Sequence, residues 1–167
     1  MSSEEIGHPA NEESPLINSP DRENQPTNDI STQVKIMAIL QTLAAVYGGT
    51  AVALGAFGAH GLKKKIPDPQ RLQNWNTAAQ YQLLHSVAAL VAVSLAPQTR
   101  ATKWAGGLFI AGMTMFSGSL YLLTLDPQRF RAMGPVTPLG GLALIGGWAV
   151  LAVASRGRVG LGALGAR

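Results

Sequence analysis

A chain of 167 residues sets the scale of one domain. Its charge is unevenly divided: residues 1–34 hold seven acids against one arginine, and the remainder holds twelve Lys/Arg against two aspartates. With no cysteine there is no disulfide framework, thiolate nucleophile or Cys-based metal site, and basic residues scattered between apolar runs argue against nucleic acid as a partner.

Residues 1–34 carry Pro9, Pro15, Pro20 and Pro26 among Ser, Asn and Glu, and only seven of them are apolar. So little apolar surface cannot offset the entropy of ordering, so the composition predicts a disordered acidic tail. It lacks the basic start and apolar core of a secretory signal, and the arginines of a mitochondrial presequence. Glu12-Glu13-Ser14-Pro15-Leu16-Ile17 matches an acidic dileucine sorting signal, which would favour an endosomal or vacuolar membrane. The same pattern also arises readily by chance in an acidic tail, and a mitochondrial membrane stays open.

Four uncharged runs follow, and the expected fold is an all-α bundle of four transmembrane helices. The spans are placed at about 36–58, 78–96, 104–125 and 137–154, since about 20 apolar residues cross a bilayer at 1.5 Å per residue. A soluble bundle would show charges on one face of each helix, and these runs contain none. The connections 63–77, 97–103 and 126–136 are short, and Trp75 and Trp104 fall where interfacial aromatics belong. The segment 156–167 reads as a basic flexible tail. Basic residues divide seven to six between the two sides, which leaves orientation undetermined.

Alternating span direction gathers the unusual residues in one half of the bilayer, on the side of Lys63-Lys64-Lys65. Span one ends there with Gly55, Gly58 and His60, and span two begins with Tyr81, Gln82 and His85. Span three ends with Ser117, Gly118 and Tyr121, and span four begins with Thr137, Gly140 and Gly141. At 100° per residue, Ala78, Tyr81, Gln82, His85, Ala89 and Ala92 share one side of span two, with Leu83, Leu84, Val87, Leu90 and Val91 on the other. His60 and Gly140 are expected at one depth.

The cluster His60, Tyr81, Gln82, His85, Ser117, Tyr121 and Thr137 supports two readings. Polar side chains and glycines hold membrane helices together, and Gly55, Gly58, Gly118, Gly140 and Gly141 are the candidates for close packing. Polar groups within spans also mark ligand or ion sites. Metal binding fits poorly, because no acid or cysteine joins the two histidines and a catalytic zinc takes three protein ligands. A serine nucleophile would lack an acidic residue to orient its base. No cofactor and no catalytic residue are expected.

The segments Leu54–His60, Trp75 with Tyr81-Gln82 and His85, Phe116–Tyr121, and Thr137–Gly141 with Gly147-Trp148 resemble one small membrane protein family. It is the domain of unknown function 423 family, which includes the transmembrane protein 256 and YgdD-like proteins. The resemblance covers roughly residues 36–154 and implies a four-span helical protein without implying an activity. The expected function is that of a non-enzymatic assembly or accessory subunit, whose partners are the lipid bilayer and membrane proteins or further copies of itself. The alternative is a small-solute or lipid binding protein or permease built around His85.

Overall fold

The computed structural model describes residues 25–94 and 99–164, with side chains over 30–94 and 99–154. The dileucine pattern at Leu16-Ile17 and the acidic segment before Gln25 lie outside the described residues. Among those described, every regular element is helical: α1 (Gln25–His60), α2 (Pro69–Ser94), α3 (Arg100–Leu125) and α4 (Val136–Leu164). Short 3-10 turns at Leu62–Lys64 and Arg131–Met133 lie in two of the connections. Val34–Arg167 forms one compact unit.

Three helix boundaries differ from the sequence expectation. α1 starts at Gln25, so residues 25–34 are helical where a disordered tail was expected. Pro26 does not prevent this, because the first-turn N–H groups of a helix have no internal partner to lose. α2 starts at Pro69, nine residues ahead of the expected span. Pro69 fits the first turn, and the Asp68 carboxylate accepts the Gln70 N–H at 2.9 Å, so a cap starts this helix before its apolar run does. α4 continues to Leu164, which makes residues 156–164 helical rather than a flexible tail. No proline interrupts that stretch to stop the helix.

Side-chain pairings give the helix directions. Gln41 bonds Ser94 at 3.2 Å, Gln82 bonds the Tyr47 carbonyl at 2.9 Å, and Trp75 bonds the Leu54 carbonyl at 2.8 Å, so α1 and α2 are antiparallel. Ser117 bonds the Ala78 carbonyl at 2.8 Å and Thr124 the Arg71 carbonyl at 3.2 Å, which sets α3 antiparallel to α2. Ser119 meets Thr137 at 2.6 Å where α4 turns back along α3. Tyr47 shares a hydrogen bond with Thr114, so α3 touches the other three helices. Its Phe109 and Met113 are fully buried at the core.

Glycines decide how close α3 and α4 come. A Cβ on Gly147 would lie 2.7 Å from the Phe109 ring, and one on Gly112 would lie 2.6 Å from Leu144. A Cβ on Gly140 would lie 2.4 Å from the Phe116 backbone nitrogen. Across the seam Phe109 thus sits over Gly147 and Leu144 over Gly112, while Gly140 lies directly against the α3 backbone at Phe116. Small residues allow this approach, which matters where lipid supplies no hydrophobic drive between helices.

Among the described residues, three helical segments are long and apolar enough to cross a membrane, Ile30–Lys64, Arg100–Leu125 and Arg131–Ala154. α2 is not among them, for a physical reason. Its buried face carries Gln82, His85 and Ser86 among alanines, Trp75 and Val93, and these polar residues lower its hydropathy although it is the helix enclosed by α1 and α3. Its outer face shows Leu83, Leu84, Val87 and Val91. The two sides can be told apart chemically. In this cysteine-free chain, a cysteine replacing Val91, 41% exposed, should react with a lipid-soluble maleimide, and one replacing Ala89, 1% exposed, should be protected. Equal labelling would contradict the facing of α2.

Candidate functional site

The polar residues of α2 meet their partners one turn at a time. Gln82 is buried and links three helices. Its Nε2 donates to the Tyr47 carbonyl at 2.9 Å and to Thr50 Oγ1 at 2.8 Å, and its Oε1 accepts from the Tyr121 hydroxyl at 3.1 Å. Ser117 and Ser119 are buried and bonded, to Ala78 on α2 and to Thr137 on α4. Among the described residues, no buried side-chain nitrogen or oxygen lacks a partner. Such satisfaction matters because an unpaired polar group in an apolar interior costs about 1–3 kcal/mol.

His85 is 5% exposed and sits among aromatic rings. Tyr81 stacks on it at 5.6 Å, and Phe109 and Trp148 flank it at 5.9 and 6.2 Å. Its Nδ1 lies 2.8 Å from the Tyr81 carbonyl. A carbonyl only accepts, so Nδ1 carries a proton in this contact. Nε2 has no hydrogen-bond partner among the described residues. Since no buried side-chain nitrogen there is unpaired, Nε2 belongs to the small part of His85 that reaches the surface.

The remaining candidates divide. Tyr81 is 43% exposed rather than turned into the bundle, with its ring stacked on Phe116 at 4.8 Å. A side chain at the edge of the inward stripe covers the seam between helices instead of filling the core. His60 is exposed and does not join the cluster. It also lies at a different depth from Gly140. The pairings place Gly140 beside Phe116 and Ser117 beside Ala78, and the α1–α2 register sets Ala78 opposite residue 51, about 13 Å from His60 at 1.5 Å per residue. Helices of unequal length displaced their ends, which span direction alone does not reveal.

The candidate glycines divide as well. Gly58 lies under Trp75, whose Cδ1 would be 2.4 Å from an added Cβ, and Gly140 lies against backbone. Added Cβ atoms on Gly55 and Gly141 would meet only ordinary contacts at 3.8 Å, and one on Gly118 would meet nothing within 4 Å. Gly118 is therefore not a close-packing position. Sequence reasoning missed Gly106, Gly112 and Gly147, and also Tyr47 and Thr50 as partners of Gln82. The signal available for the last two was their helical spacing on α1.

Trp75 is a correction too. It is 3% exposed, not an interfacial anchor, with its ring 4.5 Å from Tyr121 and 5.8 Å from Phe57. Trp104, by contrast, is 71% exposed. Arg71, which reads as a loop cation, caps α3. Its Nε donates to the Thr124 carbonyl at 3.0 Å and its Nη2 to that carbonyl and, at 3.0 Å, to the Leu125 carbonyl. A cation at a helix C-terminus satisfies orphan carbonyls and opposes the negative end of the dipole.

Among the described residues, no three His, Asp or Glu side chains converge. The geometry supplies hydrogen-bonded cross-links between helices and, within the polar cluster, one unpartnered imidazole nitrogen, Nε2 of His85.

Residues 54–141 match the family described as a protein of unknown function, DUF423. A UPF0382 membrane protein of Schizosaccharomyces pombe is 45% identical over 114 residues, covering 66% of this chain and 96% of the relative. The UPF0382 membrane protein YwdK of Bacillus subtilis is 42% identical over 122 residues, covering 71% of this chain and 97% of the relative. A UPF0382 membrane protein of Staphylococcus epidermidis is 41% identical over 123 residues, with 73% and 96% covered. No solved structure matches. With relatives named as membrane proteins and three helices apolar enough to span, this is an integral membrane protein, and the chain belongs to the DUF423 family.

Proposed function

We infer that the protein is a four-span, non-enzymatic membrane component that acts by packing against other membrane proteins, as an assembly or accessory subunit. The antiparallel pairing of α2 with α1 and α3 along nearly its whole length supports reading it as the fourth span. The observation that supports the functional reading is the cross-linked interior: the polar groups of Gln82, Ser117 and Ser119 are spent on bonds to neighbouring helices. The outward faces of α1 and α4 offer aliphatic surface instead, with Val46, Val52, Leu142 and Ile145 all more than half exposed. A photo-crosslinking residue placed at 52 or 145 in native membranes should give one discrete protein adduct. Lipid adducts alone at both positions would refute the accessory role.

A second reading rests on His85 Nε2. With Nδ1 occupied, an unpartnered Nε2 bordered by Tyr81 and Trp148 could accept a hydrogen bond from the hydroxyl of a membrane-dissolved molecule. His85→Phe keeps a ring in the aromatic cluster and removes the acceptor. Under this second reading the variant folds normally and loses a small molecule that co-purifies with the wild type. Under the accessory reading the crosslinked protein adduct survives the same substitution.

A further inference from the structure

We propose that the cleft where α1 ends and α2 begins is a headgroup site for an anionic phospholipid. The cleft encloses about 410 Å³. Gly58 and Ala59 form the α1 wall, and Leu72, Gln73 and Asn76 line it from α2, with Lys63 contributed by the connection. Positions 69, 72, 73 and 76 recur at helical spacing, so one face of α2 supplies both an apolar wall and two amide side chains. Ala59 brings only a methyl group to the opposite wall, and Gly58, whose Cβ side is taken by the Trp75 ring, lines it with backbone alone, so no long side chain of α1 crosses the cleft.

Charge and depth select the occupant. Lys63 has no ionic or hydrogen-bonding partner among the described residues, and the Gln73 and Asn76 side chains have none there either. The nearest acid in sequence, Asp68, is engaged by the Gln70 N–H. A phosphate offers only acceptors and negative charge, which the Lys63 ammonium and the two amide NH2 groups match. The segment Ile30–Lys64 is apolar enough to span, so Lys63 stands at its end, at the level of the headgroups. Exposed Lys64 and Lys65 beside it raise the local positive potential, and Arg129 and Arg131 stand in the connection between α3 and α4. Basic residues just outside a span attract anionic headgroups. A choline-bearing lipid would bring its own cation to the same lysines. This inference is independent of whether the protein has an accessory role.

The test uses the full-length protein in nanodiscs of equal phosphatidylglycerol and phosphatidylcholine, with retained lipid counted by native mass spectrometry. The wild type should keep phosphatidylglycerol in preference, and Lys63→Gln should lower that retention about fivefold, the contribution of one lysine near an anionic surface. Lys64→Gln and Lys65→Gln remove the same charge from the same turn without lining the cleft, and should lower retention clearly less than Lys63→Gln does. Soluble glycerol phosphate should not displace the bound lipid, because a headgroup fragment lacks the acyl chains that hold it at the bilayer. Equal losses in all three lysine variants would mean diffuse charge attraction and overturn the site. Absence of any phosphatidylglycerol preference in the wild type, or displacement by glycerol phosphate, would overturn it as well. Lys63 is exposed, so unchanged thermal melting should accompany the K63Q result.

Discussion

Gly140→Ala should destabilise the bundle by about 1–3 kcal/mol or more, the cost of forcing an extra carbon into a packed contact. The added Cβ would sit 2.4 Å from the Phe116 nitrogen, 2.8 Å from its Cα and 2.9 Å from the Met115 carbonyl carbon. All three are backbone atoms, so no rotamer change can relieve the clash, and α3 and α4 must separate along their length. Gly118→Ala is the matched control. Its new methyl would meet nothing within 4 Å, and alanine is the better helix former by about 1 kcal/mol. Thermal melting in detergent should therefore fall clearly for Gly140→Ala and hold or rise for Gly118→Ala. Equal melting of the two variants would mean that the helices do not approach this closely.

Trp75→Ala should cost about 3–5 kcal/mol, as expected when a buried aromatic is cut to a methyl group. The side chain closes one end of the bundle through its contacts with Phe57 and Tyr121. It also donates to the Leu54 carbonyl across the α1–α2 interface at 2.8 Å. Trp75→Phe keeps most of the ring and loses only that bond, for about 1 kcal/mol. The socket at Gly58 supplies an internal check. In the wild type Gly58→Ala collides with the indole, whereas in the Trp75→Ala background the collision partner is gone. The two substitutions should then be strongly non-additive in melting measurements, as residues in contact are. Simple additivity would show that Trp75 does not occupy the Gly58 socket.

The all-α class was legible because an uncharged run has few alternatives to a buried or membrane helix. The start of α2 was not legible from hydropathy, since its first two turns are polar. The Asp68-Pro69 pair that starts it was nonetheless present, and capping chemistry outweighed the apolar count there. Trp75 shows a different limit. An aromatic near a span boundary can sit among headgroups or drop into a glycine socket, and Gly58, far away in sequence, decides between them. The inward turn of Gln82 and His85 was legible from the helical step, because polar side chains on α2 have one cheap direction to point. Which glycines press against a neighbour was not, since Gly118 and Gly140 look alike until the helix opposite is known. Tyr81 failed for a related reason: a stripe assigned at 100° per residue does not say where its margins end.

The alternation along the α3–α4 seam has a further consequence for assembly. Helices inserted in a bilayer meet by lateral diffusion, and many wrong encounters are available to them. On α3 the order along the seam is Phe109, Gly112, Phe116, and on α4 the facing order is Gly147, Leu144, Gly140. Each strip is a cast of the other and a poor cast of itself. Two copies of α3 crossing antiparallel at Gly112 would bring glycine to glycine, with no leucine to fill the space between them. Two copies of α4 centred on Leu144 would leave voids on either side of a crowded leucine pair. The seam therefore distinguishes its mate from its twin without using a single charge, through shape alone.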